Sequence, residues 1–344
     1  MSKFISVQET IFPMPPSFKS CFAPQRLYAP RHPGKSIQPF FSGGSYPHRS
    51  HRLIQGEDEK KTSIKNPTSA TLMAPTDVCP RRLIDTCTIK LVEFGKNETI
   101  PPYAILSHWW IEGKEVVYEE FRNLHWWTKF KSGYRKIKAA CRQARRDGIR
   151  YIWVDTCCIE QGNHDDVAAN ITSMYAFYQN AEVCYAYLAD MGAEFETSEW
   201  FERGWTLQEL LAPRTVMFFN SKWQCVGDKH ELRDDIQSET TIPPEVLSGK
   251  QSITDVDVLT RMSWAIGRNT TKEQDEAYCL QGLLGVSVEP DYEESLFSSF
   301  NRLGKALFEA QPELKGRLGI EEDLFSDSDS KSFYWLLIKR FSGT

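Results

Sequence analysis

Between residues 103 and 219 the chain alternates short apolar runs with amphipathic stretches, and this alternation limits its fold more than any other feature. Tyr103-Ala104-Ile105-Leu106-Ser107, preceded by Pro101-Pro102, has the length and composition of a buried strand. Tyr134, Ile137, Cys141 and Ala144 then recur at spacings of three and four, which predicts an amphipathic helix. The intervening Arg135, Lys136, Lys138, Arg142, Arg145 and Arg146 are expected to face water, and Asp147-Gly148 to end the helix. Tyr151-Ile152-Trp153-Val154 reads as a second strand. A second helix is predicted over 165–179, with Val167, Ile171, Met174, Phe177 and Tyr178 on one side. Val183-Cys184-Tyr185-Ala186-Tyr187-Leu188 is a third strand, followed by a short helix over 204–211 and a fourth strand over 215–219. Such a series predicts an α/β fold, a parallel sheet flanked by helices. Segments 256–266 and 275–284 predict additional C-terminal helices packed beside it.

Charge and proline divide the chain. Residues 1–75 hold 10 Lys+Arg against 4 Asp+Glu and 10 of the 18 prolines, whereas the remainder holds 31 against 42. The first part is expected to be a disordered basic, Pro-rich arm, the folded domain to cover 76–290, and 291–344 to form a helical or irregular extension that includes a polar acidic loop at 326–332. The acidic balance of the folded part argues against nucleic acid as the main ligand. No run of about 18 apolar residues occurs, so no transmembrane segment is expected. Nine widely spaced cysteines in a chain of this size point to reduced thiols, and Met1–Ser20 lacks a secretory apolar core, so the expected location is cytoplasmic.

Ligands of open parallel sheets bind at the carboxyl ends of the strands. Three polar clusters fall there: Ser107-His108-Trp109-Trp110, Asp155-Thr156-Cys157-Cys158-Ile159-Glu160-Gln161, and Arg203-Gly204-Trp205-Thr206-Leu207-Gln208-Glu209-Leu210. Adjacent cysteines on an extended segment point to opposite faces, which makes Cys157-Cys158 a poor metal site, and no Cys-x-x-Cys spacing exists. A Cys157 or Cys158 nucleophile with His108 as base is a weaker alternative. Neither glycine-rich phosphate-loop pattern occurs.

Segments 103–108, 151–161 and 201–213 closely resemble, in order, the three motif blocks of the fungal heterokaryon incompatibility (HET) domain. Gly133-Tyr134-Arg135-Lys136-Ile137, 169–174 and Asp275-Glu276-Ala277-Tyr278-Cys279-Leu280-Gln281-Gly282 fit as well. The resemblance covers about 80–290. One departure is that family members often read Ser-His-x-Trp-Gly followed by an acid, whereas Trp110 here precedes Ile111-Glu112-Gly113.

The resemblance implies non-self recognition leading to programmed cell death, and a TIR-like, flavodoxin-like sheet. Some TIR domains hydrolyse NAD with a glutamate in a motif resembling Trp-Cys-x-x-Glu-Leu. Trp205-Thr206-Leu207-Gln208-Glu209-Leu210 looks like that motif, with Thr206 in place of Cys. The implied catalytic set is Glu209, Asp155 and His108. Ser107, Trp109, Arg203 and Trp205 are the candidate contacts to NAD, which is a candidate substrate; no firm cofactor and no metal are implied. A carboxylate can stabilise the oxocarbenium-like state of nicotinamide–ribose cleavage, an aromatic ring can stack on a base, and Arg203 can pair with pyrophosphate. Duller roles stand beside these: Glu209 as an exposed helix residue paired with Arg203 or Arg214, Trp205 in the core, His108 as a satisfied buried histidine, and Asp155 as a helix cap. A non-catalytic module acting through self-association or a protein partner is the rival function. Family relatives often continue into a nucleotide-binding oligomerisation domain and repeats, whereas this chain reads to Thr344 with neither.

Overall fold

The apolar run at residue 103 becomes the middle of a seven-stranded sheet. The computed structural model describes residues 78–191, 195 and 197–318, all within one unit, Ala70–Thr344. The basic arm and the 326–332 loop lie outside the described residues. The strands are β1 (Arg82–Asp85), β2 (Lys90–Glu93), β3 (Tyr103–His108), β4 (Tyr151–Trp153), β5 (Val183–Tyr187), β6 (Val216–Phe219) and β7 (Cys225–Asp228). Among and after them run α1 (Tyr118–Arg122), α2 (Ser132–Arg146), α3 (Asp155–Cys158), α4 (His164–Gln179), α5 (Thr206–Leu211), α6 (Arg233–Thr240), α7 (Pro244–Leu247), α8 (Val258–Ser263), α9 (Asp275–Tyr278), α10 (Gln281–Leu284), α11 (Leu296–Ala310) and α12 (Glu313–Leu318).

The sheet order is β2-β1-β4-β3-β5-β6-β7. Its central four strands, β4-β3-β5-β6, are mutually parallel. Taken along the chain they run second, first, third, fourth, the flavodoxin-type order, with the reversal between β3 and β5. The chain leaves β3 through α2 to β4 on one side, then crosses back through α4 to β5 on the other. Right-handed crossovers therefore put α2 and α4 on opposite faces. All six residues of β3 are buried, as a strand covered on both faces requires.

The sheet is mixed, not purely parallel: β1, β2 and β7 are antiparallel to their neighbours. These are four-residue outer strands. β2 and β7 are at most half-buried except at Gly227, so they lack the apolar pattern that marks the centre. The predicted helix at 275–284 breaks into α9 and α10, and the one at 256–266 shortens to α8.

Local signals explain most boundaries. The Asn163 side chain accepts the Asp166 N–H, capping α4 with acidic residues in its first turn. Gly148, at φ +76°, closes α2 while the Ile149 N–H reaches back to the Ala144 carbonyl across 2.8 Å. Lys136 departs from expectation. It lies buried in the stripe Gly133, Lys136, Ile137, Ala140, Cys141 and Ala144, where helical spacing sends it inward. Gly282 lets α10 reach α4: a Cβ there would lie 2.2 Å from the Tyr175 Cβ.

Candidate functional site

β3 ends beside the strand-order reversal with Ser107 and His108, both buried and, by strand alternation, on opposite faces of the sheet. Each face carries its own polar cluster.

On one face the Ser107 hydroxyl donates to Glu209 Oε2 at 2.5 Å and accepts the Trp200 indole N–H at 2.8 Å. The Tyr178 hydroxyl bonds the Glu209 carboxyl and donates to the Leu106 carbonyl at 3.2 Å. Glu209 is only 3% exposed, which excludes the exposed-helix alternative. Burial raises its carboxyl to about 7, aided by the charge of Asp155 and opposed by Arg203 and the Ser107 and Tyr178 bonds. The helix bearing it is pinned at its end by buried Lys229, whose ammonium donates to the Leu210 and Pro213 carbonyls at 3.0 and 2.7 Å. Burial brings that ammonium down to about 8. Gly204 is required just before α5 because a Cβ would meet Thr270 Cγ2 at 2.6 Å, where the Gly204 N–H bonds the Asn269 carbonyl.

On the other face stand His108, Glu115, Lys136 and Asp155. His108 Nε2 is 3.7 Å from Glu115 and 3.8 Å from Asp155, beyond hydrogen-bond reach. Among the described residues neither ring nitrogen has a partner, so His108 is buried but unsatisfied. Burial, then the charges of Lys136 and Arg203, push its pKa well below the ordinary value, leaving a neutral imidazole. Lys136 is bound to Glu115 at 2.7 and 2.8 Å. Asp155 accepts the Trp110 indole N–H and the Thr156 amide, each at 2.7 Å. Burial raises its carboxyl, against the pull of Arg203 and Trp110. Asp155 is the first residue of α3 and binds its own neighbour's amide, so it helps to hold the helix start as well as Trp110.

Arg203 links the two clusters electrostatically, acting on His108, Asp155 and Glu209 alike. Its guanidinium sits 5.2 Å over the Trp110 ring, and its Nε has no partner among the described residues. Half-buried and held against an indole, the guanidinium is a cation of the kind that pairs with anionic groups, while its unpaired Nε is itself closed to solvent. Glu209, by contrast, is enclosed by Ser107, Trp200 and Tyr178.

The structure thus gathers Ser107, His108, Asp155, Arg203 and Glu209 around the end of β3. Trp205 goes elsewhere: it is 7% exposed and its indole bonds Asp275, which also accepts the Tyr292 hydroxyl at 2.8 Å. That is a core position. Trp109 is half-buried, and the neighbouring Trp110 takes the contacts with Asp155 and Arg203. Cys157 and Cys158 lie in a one-turn helix, not an extended segment. The Cys157 thiol donates to the Val116 carbonyl at 3.2 Å, and burial raises it well above its usual value, the opposite of an activated nucleophile. No group of metal-ligating side chains occurs among the described residues.

Trp200, Tyr178, Glu115 and Lys136 were not legible as site residues, and Trp110 stood in the first polar cluster without a role of its own. The one usable signal was Tyr178, placed on the apolar side of α4, because a buried tyrosine hydroxyl needs a partner.

Residues 103–195 match the family model described as heterokaryon incompatibility protein (HET). That match spans Ser107, His108, Trp110 and Asp155 and stops before Arg203 and Glu209. Vegetative incompatibility protein HET-E-1 of Podospora anserina is 40% identical over 218 residues, 59% of this chain and 16% of that protein. The chain therefore spans about a sixth of that relative's length. No solved structure matches.

Proposed function

From the match of residues 103–195 to the heterokaryon incompatibility (HET) family model we propose that this chain acts in fungal non-self recognition that ends in programmed cell death, with Glu209 as the carboxylate of a TIR-like NAD cleavage. The observation that carries the chemical part is the Ser107–Glu209 contact at the carboxyl end of the central strand. There a carboxyl raised to about 7 is held beside a guanidinium that can take a pyrophosphate.

In this reading the nicotinamide–ribose bond breaks with its electrons leaving on neutral nicotinamide. Ionised Glu209 stabilises the oxocarbenium-like ribose and takes a proton from the water that adds to it, so the products are nicotinamide and ADP-ribose. The cationic nicotinamide ring favours ionisation of Glu209 when it binds. Arg203 and Trp110 hold the phosphate and base portions. Incubating the full chain with NAD and following nicotinamide release tests this, and Glu209→Gln is expected to lower the rate at least ~100-fold. No release from wild type at high concentration, with and without a crowding agent, ends the enzymatic reading.

The enclosure of Glu209 favours a second reading, in which the cluster is a structural latch and the domain kills by association with itself or a protein partner in the cytoplasm. Cell killing by overexpressed Glu209→Gln as effective as wild type supports it.

A further inference from the structure

We infer that the surface formed by the turn at Trp126–Phe130 and the outer face of α2 docks on an anionic phospholipid bilayer. Three large apolar side chains stand exposed side by side: Trp126 at 69%, Trp127 at 53% and Phe130 at 70%. They are the three most exposed of the large hydrophobic side chains among the described residues. Their turn is held firmly. Thr128 between them is 1% exposed, and Lys131 just after it clamps the Glu120 carboxylate at 2.6 and 2.8 Å and the Glu115 carbonyl at 3.1 Å. The aromatics are thus presented outward by a buried anchor.

The charge around them decides the partner. Residues 121–146 contain nine Lys and Arg and no Asp or Glu, in a chain whose net charge is −5. Lys131 and Lys136 are consumed by Glu120 and Glu115. Arg135, Lys138 and Arg142 are exposed and follow helical spacing along the outer face of α2, and exposed Lys129 lies within the aromatic turn. Arg135 Nη2 donates to the Phe130 carbonyl at 3.4 Å, which places the first of these cations against the aromatics. Indole and phenyl rings beside lysine and arginine are the composition of an interfacial anchor: the rings enter the headgroup–acyl boundary and the cations meet anionic headgroups.

A single-stranded nucleic acid is the other polyanion to consider, and the ring geometry disfavours it. Stacking of bases needs free, flat aromatic faces. Here Trp127 is stacked on His125 at 4.3 Å and 10°. Trp126 meets Trp127 and Phe130 edge-on, at 78° and 90°. The result is an apolar wedge instead of a platform. Because no helix among the described residues is long and apolar enough to cross a membrane, the contact proposed is peripheral.

The test is co-sedimentation of the full chain with vesicles of phosphatidylcholine alone or with about 30% phosphatidylserine. Binding is expected only with the anionic vesicles, and is expected to fall on raising the salt. Trp126→Ser with Trp127→Ser is expected to lower the partition coefficient at least ~10-fold, since each ring removed forfeits apolar burial. Lys138→Ala is expected to lower it about fivefold. All three side chains are exposed, so unchanged thermal melting checks that the variants are folded. Absence of wild-type binding overturns the proposal. So does wild-type-like binding by the double tryptophan variant, which assigns the contact to another part of the chain. Tighter binding of oligothymidylate than of vesicles, lost in that same variant, overturns it in favour of nucleic acid.

Discussion

The Ser107 hydroxyl and the Glu209 carboxyl, 102 residues apart in the chain, meet at 2.5 Å at the end of the central strand. Ser107 in turn accepts the Trp200 indole, so one small hydroxyl ties the sheet both to the third sequence block and to the turn that leads into it. The carboxyl lies in a site with too little solvation to keep it ionised at its ordinary pH.

This placement predicts a pH signature. With the Glu209 carboxyl raised to about 7 from 4.5, the folded chain binds more protons than the unfolded chain between those values. The stability gained by keeping it protonated is fully present below about pH 4.5 and lost as pH rises through about 7, a change of roughly 3 kcal/mol. Glu209→Gln is expected to remove that slope and to melt higher than wild type at pH 8. Identical pH profiles for the two proteins would show that the carboxyl is not perturbed.

His108 gives a slope of opposite sign. Its pKa is depressed on folding, so below the ordinary histidine range the unfolded chain takes up a proton that the folded chain refuses. Stability contributed by the neutral ring is therefore lost as pH falls below about 6.5. His108→Phe, which keeps an aromatic ring in the space, is expected to flatten the acid limb of the stability curve. An imidazole seen by NMR to titrate near its ordinary value would contradict the placement.

The Glu115–Lys136 pair lies beside His108, with Glu115 3.7 Å from its Nε2. Glu115→Gln leaves a buried ammonium without a carboxylate and is expected to cost ~3 kcal/mol in urea denaturation. Glu115→Leu combined with Lys136→Met is expected to recover most of it, since both charges then go. A Glu115→Gln cost near zero would place Lys136 in solvent.

At Gly282 the prediction is steric. A methyl group would lie 2.2, 2.5 and 2.7 Å from Tyr175 Cβ, Cγ and Cδ2. Gly282→Ala is expected to destabilise by about 2–3 kcal/mol through displacement of α10 from α4. An unchanged melting temperature would mean that the two helices do not approach so closely.

The sheet centre was legible because β3, β4 and β5 are continuous apolar runs, and the basic helix because its apolar residues recur at three and four. β1, β2 and β7 were not, since four-residue outer strands carry too little pattern. The charge of Lys136 points it to water, but the period that places Ile137 and Ala140 inward places Lys136 inward too. The polar clusters were legible as strand ends. Which indole serves them was not, because Trp109 and Trp110 are adjacent and only the path of the loop brings Trp110 to Asp155 and Arg203.

By itself the order of apolar runs and helical periods determined the α/β class and the parallel centre, because burial of backbone and apolar surface is a local demand written residue by residue. It also determined that Ser107, His108 and Asp155 would lie in or just beyond strand ends, and Glu209 in a short helix. Only the tertiary structure decided that they divide into two clusters on opposite faces, with Glu209 sealed and His108 left without a partner. Strand order, crossover side and desolvation belong to the packed chain. The same Glu209 side chain would ionise near its ordinary value on an exposed helix, and desolvation in the packed chain is what moves it to about 7, against the opposing bonds of Ser107 and Tyr178.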